Sequence, residues 1–321
     1  MRCSRFIPVL LGVAGLAVLG GALATPSFTS ASVPSPSPAP QGAYAPHPAQ
    51  PPAVADPAAR TALARAIEAL ADDRVAWLET RIWQKVELPG LAYEASGSYR
   101  MAPQHRFRLE LETDLGGAKS SLLKVSDGTT LWQASRTGAG SWTSITRVRL
   151  EEVFATLNGP AGSPQLQAEF YQGPTFSGIA PLLRNLGFRL VWARQEAVRG
   201  NGAERLVLTG VWPPEAAAVL APPEQPWPPA LPYQCRLFLN ARTYWPERVE
   251  WWGPPSTQGS QALLAEMEFR SPRLNRPLTP EQCARAFTFD PGKAPVTDET
   301  RAVTADLTAR ARDLAARCST R

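Results

Sequence analysis

Histidine is almost missing from this sequence: His47 and His105 are the only two among 321 residues, and cysteine occurs four times. A structural zinc site takes four closely spaced Cys, His or carboxylate ligands, and none of these cysteines has that spacing. There is no Gly-x-Ser-x-Gly elbow, no His-Glu-x-x-His helix and no glycine-rich phosphate loop ending in Lys-Ser or Lys-Thr. A serine or cysteine nucleophile would have to use His105, which follows Pro103-Gln104 at a strand edge. The expectation is a noncatalytic protein, with no metal and no cofactor. Charge of one sign is also sparse in any one place. The net charge is +5, but basic and acidic residues are interspersed instead of forming the stripe that nucleic acid requires. No nucleic-acid partner is expected.

What is present begins with Arg2 and Arg5, followed by an apolar run from Phe6 to Ala24 that closes on Ala22-Leu23-Ala24. Residues 1–24 thus read as a secretory signal peptide, placing the protein in the periplasm or outside the cell. An uncleaved membrane anchor is the alternative, since the run is just long enough to span a bilayer, although its Gly and Ala content weakens retention. Residues 25–57 are dominated by Pro, Ala and Ser, as in Val33-Pro34-Ser35-Pro36-Ser37-Pro38. Such a stretch cannot bury enough apolar surface to offset its ordering entropy, so a disordered, extended tether is expected. Residues 58–321 remain for one folded domain, expected to be a monomer. Loss of Cys3 with the signal leaves Cys235, Cys283 and Cys318, an odd number allowing at most one internal bridge. Cys235 lies in a strand-like run and Cys283 just before another, so these two are the expected pair.

The hydrophobic period changes along the domain. Leu63, Ile67 and Leu70 fall on one face of a helix expected over Asp56 to Asp73. Thereafter the period is two: Phe107, Leu109 and Leu111 alternate with Arg106, Arg108, Glu110 and Glu112, the pattern of a half-buried antiparallel strand. Gly116-Gly117, Asp127-Gly128 and Asn201-Gly202 separate strand-like runs and accept the dihedral angles of tight hairpin turns. Further strands are expected over Lys119–Ser126, Thr130–Ser135, Ser141–Arg147, Phe188–Ala197, Glu204–Val211, Tyr233–Asn240, Glu247–Trp252 and Leu263–Arg270, with Phe287–Phe289 closing the series. Helices are expected over Leu150–Leu157 and Phe176–Leu186, and a peripheral one over Thr297–Arg317. About ten strands in one sheet must curl, because twist accumulates. The fold class is therefore α+β: a single curved antiparallel sheet, an unclosed β-barrel, with helices over the concave face.

The strand ending Tyr99-Arg100-Met101-Ala102-Pro103, then Arg106-Phe107-Arg108-Leu109-Glu110, then Val125-Ser126-Asp127-Gly128-Thr129-Thr130-Leu131-Trp132, resembles the periplasmic lipoprotein carrier (LolA-like) superfamily. Leu237-Phe238-Leu239-Asn240 through Tyr244-Trp245-Pro246-Glu247-Arg248-Val249 is similar to a later hairpin of the same superfamily, and the likeness runs from Ala59 to Pro291. The resemblance implies a half-barrel whose cavity receives acyl chains, with a lipid or an acylated protein as partner. The tether, the Pro213 to Pro232 excursion and the helix after Phe289 depart from a minimal carrier. The alternative is thus an envelope sensor or regulatory interaction module on the same fold, with an inner-membrane protein partner. Parity nominates Phe107, Leu109, Leu111, Leu237, Leu239, Leu263, Met267 and Phe269 as the apolar ligand-binding lining. Trp227, set among prolines, is expected in an exposed recognition loop, and Arg106, Arg108 and Arg184 are candidates to meet a carbonyl or phosphate at the rim.

Overall fold

The computed structural model describes residues 54–319 except 72–73, 116–117, 160–161, 172–177, 201–202, 223–224 and 257–258. The expected signal, most of the tether, and the Gly116-Gly117 and Asn201-Gly202 turns lie outside the described residues. Helix α1 (Pro57–Glu68) starts where Asp56 takes an extended conformation and accepts a hydrogen bond from Ala58 N at 2.8 Å, with proline in the first turn. Five hairpin-linked strands follow: β1 (Leu78–Leu88), β2 (Leu91–Ala102), β3 (Arg106–Leu115), β4 (Ala118–Asp127) and β5 (Thr130–Thr137), and then β6 (Ser144–Arg149). The β4–β5 turn is fixed by Asp127, whose Oδ1 accepts from the Thr129 and Thr130 amides at 2.7 Å each, while Gly128 has φ +97°.

Helices α2 (Leu150–Asn158), α3 (Pro164–Tyr171) and α4 (Ile179–Arg189) then carry the chain to a second meander. It consists of β7 (Val191–Gly200), β8 (Ala203–Val211), β9 (Gln234–Asn240), β10 (Pro246–Pro255) and β11 (Gln261–Leu274), with helix α5 (Pro214–Leu220) between β8 and β9. With a two-residue strand, β12 (Thr297–Asp298), at one edge, the sheet order is β12-β6-β5-β4-β3-β2-β1-β11-β10-β9-β8-β7, so the first meander steps outward from β1 and the second returns from the far edge until β11 pairs with β1. The two ends of the sheet do not join. Because α2 to α4 connect opposite edges, they have to cross one face, and that face holds the main core.

Within β2 the backbone at Gly97 lies close against β3, where a Cβ would stand 1.8 Å from the Glu110 carbonyl oxygen. A glycine inside a strand marks such a close approach. Residues of one parity, among them Leu78, Ile82, Val86, Tyr99, Leu208 and Val249, join Leu63, Ala66, Val153, Leu157, Ile179 and Leu183 of the helices in the main cluster. Leu123, Val125, Ala134 and Ile145 face the other way and form a smaller cluster with Phe287.

That smaller cluster explains two departures from expectation. Phe287–Phe289 is not a strand; it follows helix α6 (Pro280–Ala286), which opens with a Thr279–Gln282 capping box. Phe287 sits 5.7 Å from the Trp77 ring, Phe289 packs on Trp132 and Trp142, and Arg108 Nη1 donates to Thr288 O at 3.1 Å. The outer face of β3 to β6 is covered by these rings, and the β6 edge is taken instead by β12 (Thr297–Asp298), paired in parallel. Helix α7 (Thr300–Ser319) is not peripheral either: Leu307 and Ala311 are buried in the main core, with Val303 and Leu314 packed against it. Its apolar stripe is one residue wide, so the surrounding Arg and Ala conceal it. Phe188 belongs to α4, and β7 begins at Val191, later than its apolar pattern suggested.

The crossing from outer to inner face is secured at Asp298. Its Oδ2 accepts from Arg147 Nε at 3.0 Å and Arg149 Nη2 at 3.3 Å, and its Oδ1 accepts from Thr300 N at 3.0 Å. The Thr300 hydrogen bonds, with Arg147 adding to them, hold the carboxyl down at about 2. A carboxyl with a depressed pKa stabilises the folded chain above its ordinary value of 3.8, and the contribution disappears as pH falls through about 2. With the acid slowing of intrinsic exchange divided out, protection of the amides of Thr297–Val303 should therefore drop between about pH 4 and 2 ahead of the sheet centre, and an Asp298→Asn variant should lose that pH dependence.

Candidate functional site

The expected lining comes from three strands far apart in sequence. Leu237 on β9 lies opposite both Leu208 and Val249; Val249 lies opposite Met267 on β11; Met267 lies opposite Gln84 on β1. A second row runs from Phe269 through Ile82 and Gly97 to Leu111 and Leu122. Phe107, Leu109, Leu111, Leu237, Leu239, Met267 and Phe269 are all buried in the cluster beneath the helices. Leu263 is half-buried and outside that cluster, because the β10–β11 register shifts where Trp251 faces Ala265 and Trp252 faces Leu263. Leu264 takes the buried position there. A bulge reverses parity, and nothing in the apolar pattern announces it.

The inner face also carries polar side chains that periodicity does not reveal. Gln84 is 1% exposed and continues the Leu237–Met267 row onto β1. Thr80 donates to the Arg270 carbonyl at 2.8 Å. Lys124 lies opposite Leu109 and is fully enclosed; burial lowers its pKa to about 8, against the opposing pull of Glu299. A lysine next to two apolar neighbours in an alternating strand was the available signal, since its own parity, shared with Leu122 and Ser126, points inward.

At one end of this face a recess with about 20 Å³ of free space lies between α4 and the start of β9, lined by Asn185, Leu186, Arg189, Leu190, Trp212, Pro232, Gln234, Cys235 and Trp251. That is room for about one water molecule. The Pro213 to Pro232 excursion folds over it: Trp212 Nε1 donates to Pro232 O at 2.7 Å, and Trp227 Nε1 donates to Leu231 O at 2.8 Å. Trp227 is therefore buried, not exposed for recognition, because its ring packs edge-on against Tyr233 at 5.2 Å.

Arg106 and Arg108 point to the outer face; Arg108 pairs with Glu110 at 2.7 Å. Arg184 is exposed on α4. His105 occupies the β2–β3 turn with φ +61° beside Gln104 at +66°, and its ring stacks on Tyr171 at 5.3 Å and packs on Phe154 at 5.1 Å. Among the described residues no group of three or more His, Cys, Asp or Glu is arranged to hold a metal, and no helix is long and apolar enough to cross a membrane.

The expected Cys235–Cys283 bridge is not formed: both thiols are free. Cys235 faces the main core on β9 and Cys283 packs into the outer cluster, so the sheet separates them. Burial, reinforced by the charge of Glu250, pushes the Cys235 thiol far above its ordinary range. The thiolate is the reactive form, so in native protein an alkylating reagent should modify Cys283 at least about tenfold faster than Cys235. Peptide mapping over time checks this; resistance of both until a reductant is added would show that they are bridged.

No family model matches the chain, and no curated protein matches it. Among solved structures, it is similar to MucB in complex with MucA(peri), at 16% identity over 70% of this chain and 58% of that one, with a TM-score of 0.33. It is similar to LprF from Mycobacterium bovis, at 13% identity over 70% of this chain and 96% of that one, TM-score 0.33. It is also similar to NE2245, a LolA superfamily protein from Nitrosomonas europaea, at 13% identity over 74% of this chain and 99% of that one, TM-score 0.23. The chain spans about three fifths of the MucB chain. The fold itself, an open and mostly antiparallel twelve-stranded sheet, rests on the strand order and not on these likenesses.

Proposed function

We propose that this protein is a noncatalytic, exported binder of acyl chains, in the manner of a lipid or lipoprotein carrier, and that Phe107, Leu109, Leu111, Leu237, Leu239, Met267 and Phe269, with Leu263 at the margin, form its apolar ligand-binding surface. The single observation supporting this is the continuity of the inner face: residues from β3, β9 and β11 lie in shared cross-strand rows on a sheet whose ends do not close. Hydrocarbon needs only apolar area, at about 25 cal/mol per Å², and no polar geometry. The helices α2 to α4 meet the sheet through apolar side chains, so a bound chain replaces contacts of the same kind. The ligand is then a lipid or an acylated protein.

The test is native mass spectrometry of protein purified from its host's envelope, with lipid extraction of the same sample. Copurified acyl lipid, lost in a Leu237→Gln variant that keeps its fold, supports the reading. Protein that is lipid-free and takes up no fatty acid on titration would end it. The alternative reading, a sensor or interaction module on the same fold, drew on the tether, the helix after Phe289 and the Pro213 to Pro232 excursion; of these, only the expected exposure of Trp227 is absent, since that ring is buried.

A further inference from the structure

The helical layer ends in a patch that the acyl-binding reading does not use. Phe188, in the last turn of α4, is 64% exposed. Arg184 lies one turn before it on the same side of the helix, also exposed. Arg189 follows it and forms part of the recess wall. Helix α1 crosses α4 at this end, so closely that a Cβ on Gly187 would stand 3.2 Å from Leu63 Cδ2. Arg60, one turn before Leu63, is exposed as well, and neither Arg60 nor Arg184 makes an ion pair among the described residues. The acids of the adjoining segments are engaged. Asp56 caps α1 and accepts from Gln195 N at 2.9 Å, and Glu196 pairs with Arg194 at 2.5 Å.

The Pro-rich stretch joins the domain at this same end. Asp56 N donates to Trp192 O at 2.8 Å, binding the start of α1 to the edge strand β7, and Val54 just before it is 82% exposed. Upstream lie the prolines and, beyond them, the apolar run Phe6 to Ala24. Unpaired arginines around an exposed phenylalanine complement an anionic bilayer surface: the cations attract headgroup phosphates while the ring enters the interface.

We infer that the α1–α4 end of the domain, through Arg60, Arg184 and Phe188, docks on an anionic lipid surface. The inference stands apart from acyl binding: the lipid-extraction result and the docking result can fail separately.

The test uses the full chain with vesicles of phosphatidylcholine, or with about a quarter of it replaced by phosphatidylglycerol, read by hydrogen exchange. Arg2 and Arg5 beside the Phe6 to Ala24 run also favour the anionic vesicle, so docking of the domain is read from exchange within α1 and α4 and from its loss in the arginine variant. Exchange in the last turn of α4 and the first turn of α1 should slow about fivefold on anionic vesicles only, and the effect should vanish in an Arg60→Glu/Arg184→Glu variant and at about 1 M salt, where screening shortens to about 3 Å. Phe188→Ser should weaken it, whereas Leu274→Ser, altering another exposed apolar residue at the end of β11, should leave it intact. Equal slowing on both vesicles, no slowing on either, or slowing that needs no vesicle and grows with protein concentration would each overturn the inference, the last by pointing to a second copy of the chain.

Discussion

A Gly97→Ala variant should lose about 3 kcal/mol or more of folding stability, at the top of the range for overpacking. The added Cβ would stand 1.8 Å from the Glu110 carbonyl oxygen, 2.8 Å from its carbon and 3.0 Å from Leu111 Cα. All three are backbone atoms, so no rotamer change relieves the clash and β2 has to part from β3. Folded domains have only about 5–15 kcal/mol in hand. For a chain of this size the loss corresponds to a drop in Tm of about 6–12 °C, measurable by circular dichroism. Gly90 offers the contrast. It has φ +78° but nothing within 4 Å of a would-be Cβ, and asparagine tolerates that conformation, so Gly90→Asn should be close to neutral. If Gly97→Ala melted with Gly90→Asn, the β2–β3 approach at Gly97 would not require the missing side chain.

Arg248→Ala should cost about 2 kcal/mol at neutral pH. Arg248 lies on the outer face of β10, 3.2 Å from Glu250 and 3.3 Å from Glu266, with its guanidinium 4.0 Å above the Phe238 ring. The glutamate side chains are only 8% and 13% exposed, so removing the arginine strands two carboxylates with little access to water. A fully buried broken pair costs about 3–5 kcal/mol, and the value is reduced here because the arginine is itself one-third exposed. Burial already raises the Glu266 pKa while Arg248 works against that rise. A carboxyl with a raised folded pKa favours the fold below its ordinary pKa and loses that contribution as pH climbs through the raised value. Without Arg248 the raised value goes higher still. The gap between variant and wild type in urea denaturation should therefore narrow from pH 7 to pH 5; an equal gap at both would show that the carboxylates do not depend on Arg248.

Alternation between apolar and charged residues makes the strands legible, and it places Phe107, Leu109 and Leu111 on one face, as it does Leu237 and Met267, which share the main core with them. The rest was hidden where local pattern and tertiary context part. Helices α3, α5 and α6 are short and proline-led, and in isolation each has too few turns to show a periodic face. Leu263 was misplaced by a register shift, and Gln84 and Lys124 are polar side chains on an apolar face, invisible to any count of hydrophobic residues. Trp227 shows the same limit in reverse. Proline-rich surroundings suggested exposure, but its indole finds a carbonyl acceptor four residues on and folds the excursion back on itself.

The route of the chain through the sheet also governs how it can fold. Leu78 pairs with Leu274, so the central seam between β1 and β11 joins the two ends of the domain. Each meander can form from neighbouring hairpins, but the seam waits for the second to be complete, and loop closure over such a separation is slow. Until then, β1 and β11 each present an unsatisfied strand edge, and the newly made chain is most vulnerable to aggregation along that line.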